Sequence, residues 1–286
     1  MSKTALVTGA SRGIGRAAAI RLARSGYDVA LAARTLEPGS AVDRHPDGTL
    51  YRGSLEETAQ AVRDEGARAL TLPLDLQNRA AAETIVGQVL AEWGQLDLLV
   101  NNALYVNSVS QALLLSTDPD EFAHLIVSNV VTPMVLTQRA VSAMVEHGDG
   151  CVINVVSAAS RIQPPAPTGS GGWAFSYAAV KAAFSRLTPM LHVEHHTEGI
   201  RSYGVEPGGV ATDSFRAAFP PESLEQFLKD PAMNLVREDV PAAAIEWLAL
   251  GSPEAIALSG RTLDCERLCR EQRLLPESEI LLAGAP

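Results

Sequence analysis

The chain has 286 residues with 47% hydrophobic and 20% charged side chains, which suits one large globular α/β unit with a substantial buried core. A formal net charge of −10 argues against nucleic acid or an anionic membrane surface as a partner. Residues 1–8 lead straight into a strand-like run and no apolar stretch reaches the length of a membrane span, so neither a signal peptide nor a transmembrane helix is expected. The odd count of three cysteines, Cys151, Cys265 and Cys269, fits a reducing cytoplasm.

Thr4–Thr8 is apolar, β-branched and of strand length, and Arg16–Arg24 reads as an amphipathic helix through Ala17, Ile20, Leu22 and Ala23. Between them Gly9, Gly13 and Gly15 form a turn in which positive φ and the missing Cβ atoms give a ligand access to the backbone. The N–H groups and positive dipole end of the following helix make this an anion site, and a pyrophosphate fits it. The order strand, glycine loop, helix therefore points to a dinucleotide.

The second strand is expected at Asp28–Ala33 and ends in Ala33-Arg34, where an NAD site would place a carboxylate against the ribose hydroxyls. Arg34 lies 19 residues beyond Gly15, and with Arg12 it can clamp a 2′-phosphate, so NADP(H) is favoured over NAD(H). An exposed polar loop follows over 35–53. Ser54-Leu-Glu-Glu57 then forms a capping box that opens a helix ending near Gly66.

Strands at Ala69–Leu74, Leu96–Val100, Cys151–Val156 and Ile200–Val205 alternate with helices at Ala80–Trp93, from Pro119 past Asn129 to Glu146, and over 176–198. Val240–Leu250 reads as a helix and Leu258–Leu263 as a last strand, with 264–286 an irregular tail. Such alternation predicts a parallel sheet with helices on both faces, a Rossmann-type doubly wound α/β fold in one domain over 1–286.

In such a sheet, ligands lie at the carboxyl ends of the strands. Those ends carry Asp75-Leu76, Asn101-Asn102-Ala103 and Ser157. Tyr177 and Lys181 stand four apart and hence on one helix face. A tyrosine acting as acid and base at neutral pH must drop about three pKa units, roughly 4 kcal/mol, which a nearby ammonium and an oxidised nicotinamide can supply. His192, His195 and His196 lack a carboxylate in a ligand pattern, and Cys265 with Cys269 lacks further ligands, so no metal is expected. No GxSxG elbow supports a hydrolase.

Assembled in order, these residues resemble the short-chain dehydrogenase/reductase family from Lys3 to about Leu263. Its TGxxxGxG loop stands as Thr8-Gly9-Ala-Ser11-Arg12-Gly13-Ile14-Gly15, its NNAG as Asn101-Asn102-Ala103-Leu104, and its YxxxK as Tyr177 to Lys181. Ser157 matches the family's serine, Asn129 its helix asparagine, and Pro207-Gly208-Gly-Val210-Ala-Thr212 its PGxxxT.

The resemblance implies hydride transfer between a nicotinamide cofactor and a small carbonyl or alcohol, in a cytoplasmic homotetramer or dimer. Tyr177 would exchange the proton with the substrate oxygen and Ser157 would hydrogen-bond that oxygen. Lys181 would hold the nicotinamide ribose and lower the Tyr177 pKa, with Asn129 positioning a water that relays protons to Lys181. Asp75 would meet the adenine, and Val210 and Thr212 the carboxamide.

The chain departs from the family pattern at four places. Leu104 replaces a glycine, the interval from Ser157 to Tyr177 is 20 residues through an added Pro164–Gly172 stretch, the loop after Arg34 is long, and Asp264-Cys-Glu-Arg267 stands where a glycine pair is usual. A dinucleotide-binding regulator or scaffold of the same fold is the alternative. The presence of Ser157, Tyr177 and Lys181 together favours the enzyme.

Overall fold

The computed structural model describes residues 2–40, 51–212, 215 and 235–282. Seven strands, β1 (Lys3–Thr8), β2 (Tyr27–Ala33), β3 (Ala69–Pro73), β4 (Leu98–Asn101), β5 (Gly150–Val155), β6 (Ile200–Glu206) and β7 (Thr262–Asp264), form one sheet in the order β3-β2-β1-β4-β5-β6-β7. Every pairing is parallel. The chain leaves β1 toward β2 and β3 and then returns to β4 on the other side. The switch point therefore lies between β1 and β4, where such sheets bind ligands.

The strands divide their side chains between two cores with the period of two that a pleated backbone imposes. Ala5, Val7, Val29, Leu31, Leu98 and Val100 face one core, whereas Leu6, Ala30, Ala32 and Leu99 face the other. The first core is closed by α1 (Gly13–Arg24), α2 (Leu55–Asp64), α8 (Asp239–Leu250) and α9 (Cys265–Gln272). The second is closed by α3 (Arg79–Trp93), α5 (Thr132–His147) and α7 (Leu187–His195). Two further helices, α4 (Pro119–Ile126) and α6 (Phe175–Ser185), flank the site.

Of the expected capping box, the Ser54 N-cap forms, with Oγ accepting from the Glu57 N–H at 3.1 Å, while the Glu57 carboxylate accepts from the Ser54 hydroxyl at 2.9 Å. Of the loop expected over 35–53, residues 41–50 lie outside the described residues.

Three local expectations are corrected. The long helix around Asn129 is broken by a π-turn at Val127–Val131 between α4 and α5. The last strand is Thr262–Asp264 and not Leu258–Leu263. Leu258, Ser259 and Arg261 are tied into turns on Ala255, Ile256 and Leu258, and Gly260 has a φ of +86°. Gly15 is helical and does not take positive φ. It is needed because a Cβ there would stand 2.3 Å from the Gly9 carbonyl oxygen.

The tail packs on its own chain. Cys265, Leu268 and Cys269 are buried, Cys269 Sγ contacts the Val240 carbonyl at 3.3 Å, and the Leu282 N–H donates to the Leu235 carbonyl at 2.8 Å.

Candidate active site

A cleft of about 1420 Å³ opens over the carboxyl ends of the strands. At its floor, the N–H groups of Gly9 and Ala10 both donate to the Ala32 carbonyl, and Gly9 and Gly13 take φ values of +68° and +56°. Whereas Ser54 and Asn78 cap α2 and α3 with their side chains, the helix behind this turn, α1, begins without a side-chain cap and with no acid in its first turn. Its orphan N–H groups face the cleft, an arrangement that suits an anion.

Thr8 and Asn102 fix the loop to the neighbouring strand end. Thr8 Oγ1 accepts from the N–H groups of Asn102 and Ala103 at 3.0 and 3.1 Å, and Asn102 Nδ2 donates to the Thr8 carbonyl at 2.9 Å. The segment after β6 closes the far side. A Cβ on Gly13 would stand 3.3 Å from Thr212 Cγ2, so the Pro207–Thr212 segment lies directly across from the glycine loop.

Most residues singled out from the sequence line this cleft: Gly9, Ser11, Arg12, Gly13 and Ile14; Arg34, Asp75 and Leu76; Asn102 and Ala103; Tyr177 and Lys181; Pro207, Gly208, Val210 and Thr212. Gly15 lies behind the loop. The Ser157 side chain faces the Tyr177 hydroxyl closely enough to pull its pKa down. Asn129 and Lys181 meet at a separate cavity of about 10 Å³, room for a single water, which the buried and unpartnered Asn101 Oδ1 also borders.

The serine, tyrosine and lysine come together for local reasons. Ser157 ends β5 and caps the short turn that follows, accepting from the Ala159 N–H at 3.3 Å. Ser176 Oγ donates to the Val109 carbonyl at 2.5 Å and seats the first turn of α6, which aims Tyr177 into the cleft. One turn later, Lys181 is buried and its Nζ donates to the Val155 carbonyl at 2.9 Å.

Burial pushes the Lys181 ammonium down to about 8. Burial also raises the Tyr177 hydroxyl above its ordinary value, against a smaller downward pull from the Ser157 side chain.

Asn129 differs from expectation. Its side chain is committed on both sides to the Tyr105 backbone, which leaves its main chain and the adjoining one-water cavity for any relay.

Residues that sequence reasoning missed make up the rest of the walls. Tyr105–Ser108, Ser110, Gln111 and Trp173 surround the mouth next to Tyr177, and Tyr51, Arg52 and Glu57 line the end near β2. Asn107, Ser108, Ser110 and Gln111, polar residues downstream of the β4 end, were the available signal for most of the first group. The second group is joined to the glycine loop only by folding.

The family model for short chain dehydrogenases matches residues 3–223. An oxidoreductase of uncharacterised activity from Mycobacterium tuberculosis is 31% identical over 274 residues, 92% of this chain and 90% of that one. The 3-oxoacyl-[acyl-carrier-protein] reductase of Escherichia coli is 32% identical over 262 residues, 91% of this chain and 94% of that one. Among solved structures, acetoin dehydrogenase from Salmonella typhimurium superimposes with a TM-score of 0.72 at 26% identity, covering 93% of this chain and 94% of that one.

Proposed function

The chain belongs to the short-chain dehydrogenase/reductase family, an oxidoreductase acting on alcohol and carbonyl groups, and from that premise we propose that it is an NADP(H)-dependent enzyme using Tyr177 as acid and base. The observation that carries this reading is the convergence of Ser157, Tyr177 and the buried Lys181 at one wall of the cleft. The uncapped N-terminus of α1 stands on the same cleft.

The dinucleotide supplies or takes up the hydride. The chain's own residues do the rest. The first-turn N–H groups of α1 and the glycine loop would hold the pyrophosphate, while Arg12 and Arg34 would hold a 2′-phosphate. Asp75 would meet the adenine, and Val210 with Thr212 the carboxamide. The raised Tyr177 keeps its proton at neutral pH, the state needed to protonate a substrate oxygen as a carbonyl is reduced. Ser157, beside Tyr177, would orient that oxygen by donating a hydrogen bond to it. Lys181, held at the Val155 carbonyl, places a positive charge beside the reacting groups and reaches the one-water cavity.

We assign the protein to the cytoplasm as a homo-oligomer, a tetramer or dimer. Val127 and Met134 on the α4–α5 stretch, and Met190 and Val193 on α7, are exposed apolar side chains on helix faces that a second copy would cover.

The test is Tyr177→Phe. NADPH oxidation over a panel of small ketones should fall by about 10²–10⁴, with NADPH binding retained because the ring remains. Undiminished turnover would overturn the acid–base assignment. A wild-type protein that binds NADPH yet turns over no carbonyl would favour the regulatory alternative.

A further inference from the structure

The excursion between β2 and α2 comes back against the glycine loop, and its returning arm carries groups that the reading above does not use. The Arg12 guanidinium carbon lies 4.5 Å from the centroid of the Tyr51 ring. Two residues on, Gly53 has a φ of +93°, and a Cβ there would stand 2.4 Å from the Ser11 carbonyl oxygen. The arm thus rests on the glycine loop backbone to backbone, as close as glycine permits.

The other side of the arm is tied to the exit of β2. The Leu55 and Glu56 N–H groups donate to the Thr35 and Leu36 carbonyls at 2.9 and 3.0 Å. Arg34, next to Thr35, and Arg52, two residues before the Ser54 cap, are therefore carried on neighbouring stretches of backbone. Arg12, Arg34 and Arg52 all line the cleft. The carboxylate of Glu57 in the same wall accepts from Ser54.

We propose that residues 51–53 complete the ribose 2′-phosphate pocket. Arg52 is a further ligand for that phosphate, and Tyr51 is a positioning residue that holds the Arg12 guanidinium in place for it. The inference rests on the NADP(H) reading. Stacking uses the face of a guanidinium, whereas a phosphate is gripped through the N–H groups in its plane, so one arginine serves both contacts. An arginine already held by a ring loses less freedom when it clamps the phosphate, and this raises affinity without a new contact.

The test titrates the full-length protein with NADPH and with NADH, following nucleotide fluorescence. Tyr51→Ala should raise the NADPH dissociation constant about tenfold. Arg52→Gln should do the same. Both should leave NADH within about twofold, and NADH binding also reports that each variant is folded. Tyr51→Phe, which keeps the ring, should retain the wild-type ratio of the two constants. Equal weakening of both nucleotides in Tyr51→Ala would mean a merely structural role and overturn the inference, as would an unchanged NADPH constant. The wild-type titration alone judges the parent reading: equal affinity for the two nucleotides removes the 2′-phosphate pocket, and this inference falls with it.

Discussion

Asn129 brackets the backbone of Tyr105, donating from Nδ2 to its carbonyl over 2.9 Å and accepting at Oδ1 from its N–H over 2.8 Å. The π-turn at Val127–Val131 puts the asparagine there, since the extra residue turns a buried side chain out of the helix register toward the strand-end loop. The contact secures the start of the wall formed by Tyr105–Gln111. Replacing Asn129 with Ala strands two backbone groups, and the loss should be roughly 2 kcal/mol in urea unfolding. Asn129→Asp keeps an acceptor but cannot donate, and should fall between the two. Both should raise the Michaelis constant for the carbonyl substrate more than the NADPH dissociation constant.

Lys181 makes a prediction about pH. Burial brings its ammonium from the ordinary 10.5 to about 8. Below pH 8 the lysine is protonated in both the folded and unfolded chains, and the full burial penalty applies. Between pH 8 and 10.5 the unfolded chain holds a proton that the folded chain has released, so this group's contribution to stability improves as pH rises. The penalty at neutral pH is roughly 3 kcal/mol at about 1.36 kcal/mol per unit, less about 1 for the hydrogen bond to Val155. In the cofactor-free protein, Lys181→Met should melt above wild type at pH 7, with the gap closing toward pH 10. A gap that does not change with pH would contradict this account. The same variant should lose turnover and bind NADPH more weakly.

What the sequence disclosed was mainly what is encoded locally. The N-cap at Ser54 needs only residues 54–57, and the two-period burial of Ala5, Leu6 and Val7 needs only one strand. The π-turn itself holds no glycine or proline, and Pro133, two residues beyond it, was the one local sign that Pro119–Glu146 is not a single helix. Gly15 looked like a turn residue because its real constraint, the Gly9 carbonyl at 2.3 Å from a Cβ, exists only after the loop has closed. Tyr51 finds Arg12 across 39 positions of sequence, and no periodicity links them.

Cofactor choice can be reversed at one position. Ala33 ends β2 on the cleft wall, and a carboxylate there would face the adenosine ribose. Ala33→Asp should bind NADH more tightly than NADPH, because an acid grips the free 2′- and 3′-hydroxyls and repels a 2′-phosphate. Fluorescence titration of both nucleotides checks this, and tighter NADH binding by the unaltered protein would end the claim.

The stretch Pro164–Gly172 folds into a closed turn. The Ser170 and Gly172 N–H groups both donate to the Pro167 carbonyl, and Thr168 bridges to Gly172. A Cβ on Gly172 would fall 1.6 Å from the Ala166 carbonyl oxygen, and Gly169 and Gly171 take φ values of +82° and +96°. The glycines thus serve a closed turn. That turn docks on the opposite wall through Thr168 Oγ1, which donates to the Gln111 carbonyl at 3.2 Å. Thr168, Gly169, Gly171 and Gly172 line the mouth of the cleft on the substrate side. The turn therefore narrows the entrance, and its effect belongs to substrate binding. Excising residues 165–171 should change the Michaelis constants of bulky ketones most and small ones least, with the NADPH dissociation constant nearly intact. Thr168→Val, which removes only the tie to Gln111, should shift the same constants in the same direction by a smaller factor, about threefold for one neutral hydrogen bond. A shortened protein that folds and turns over every ketone at the wild-type Michaelis constant would show that the turn has no part in recognising substrate.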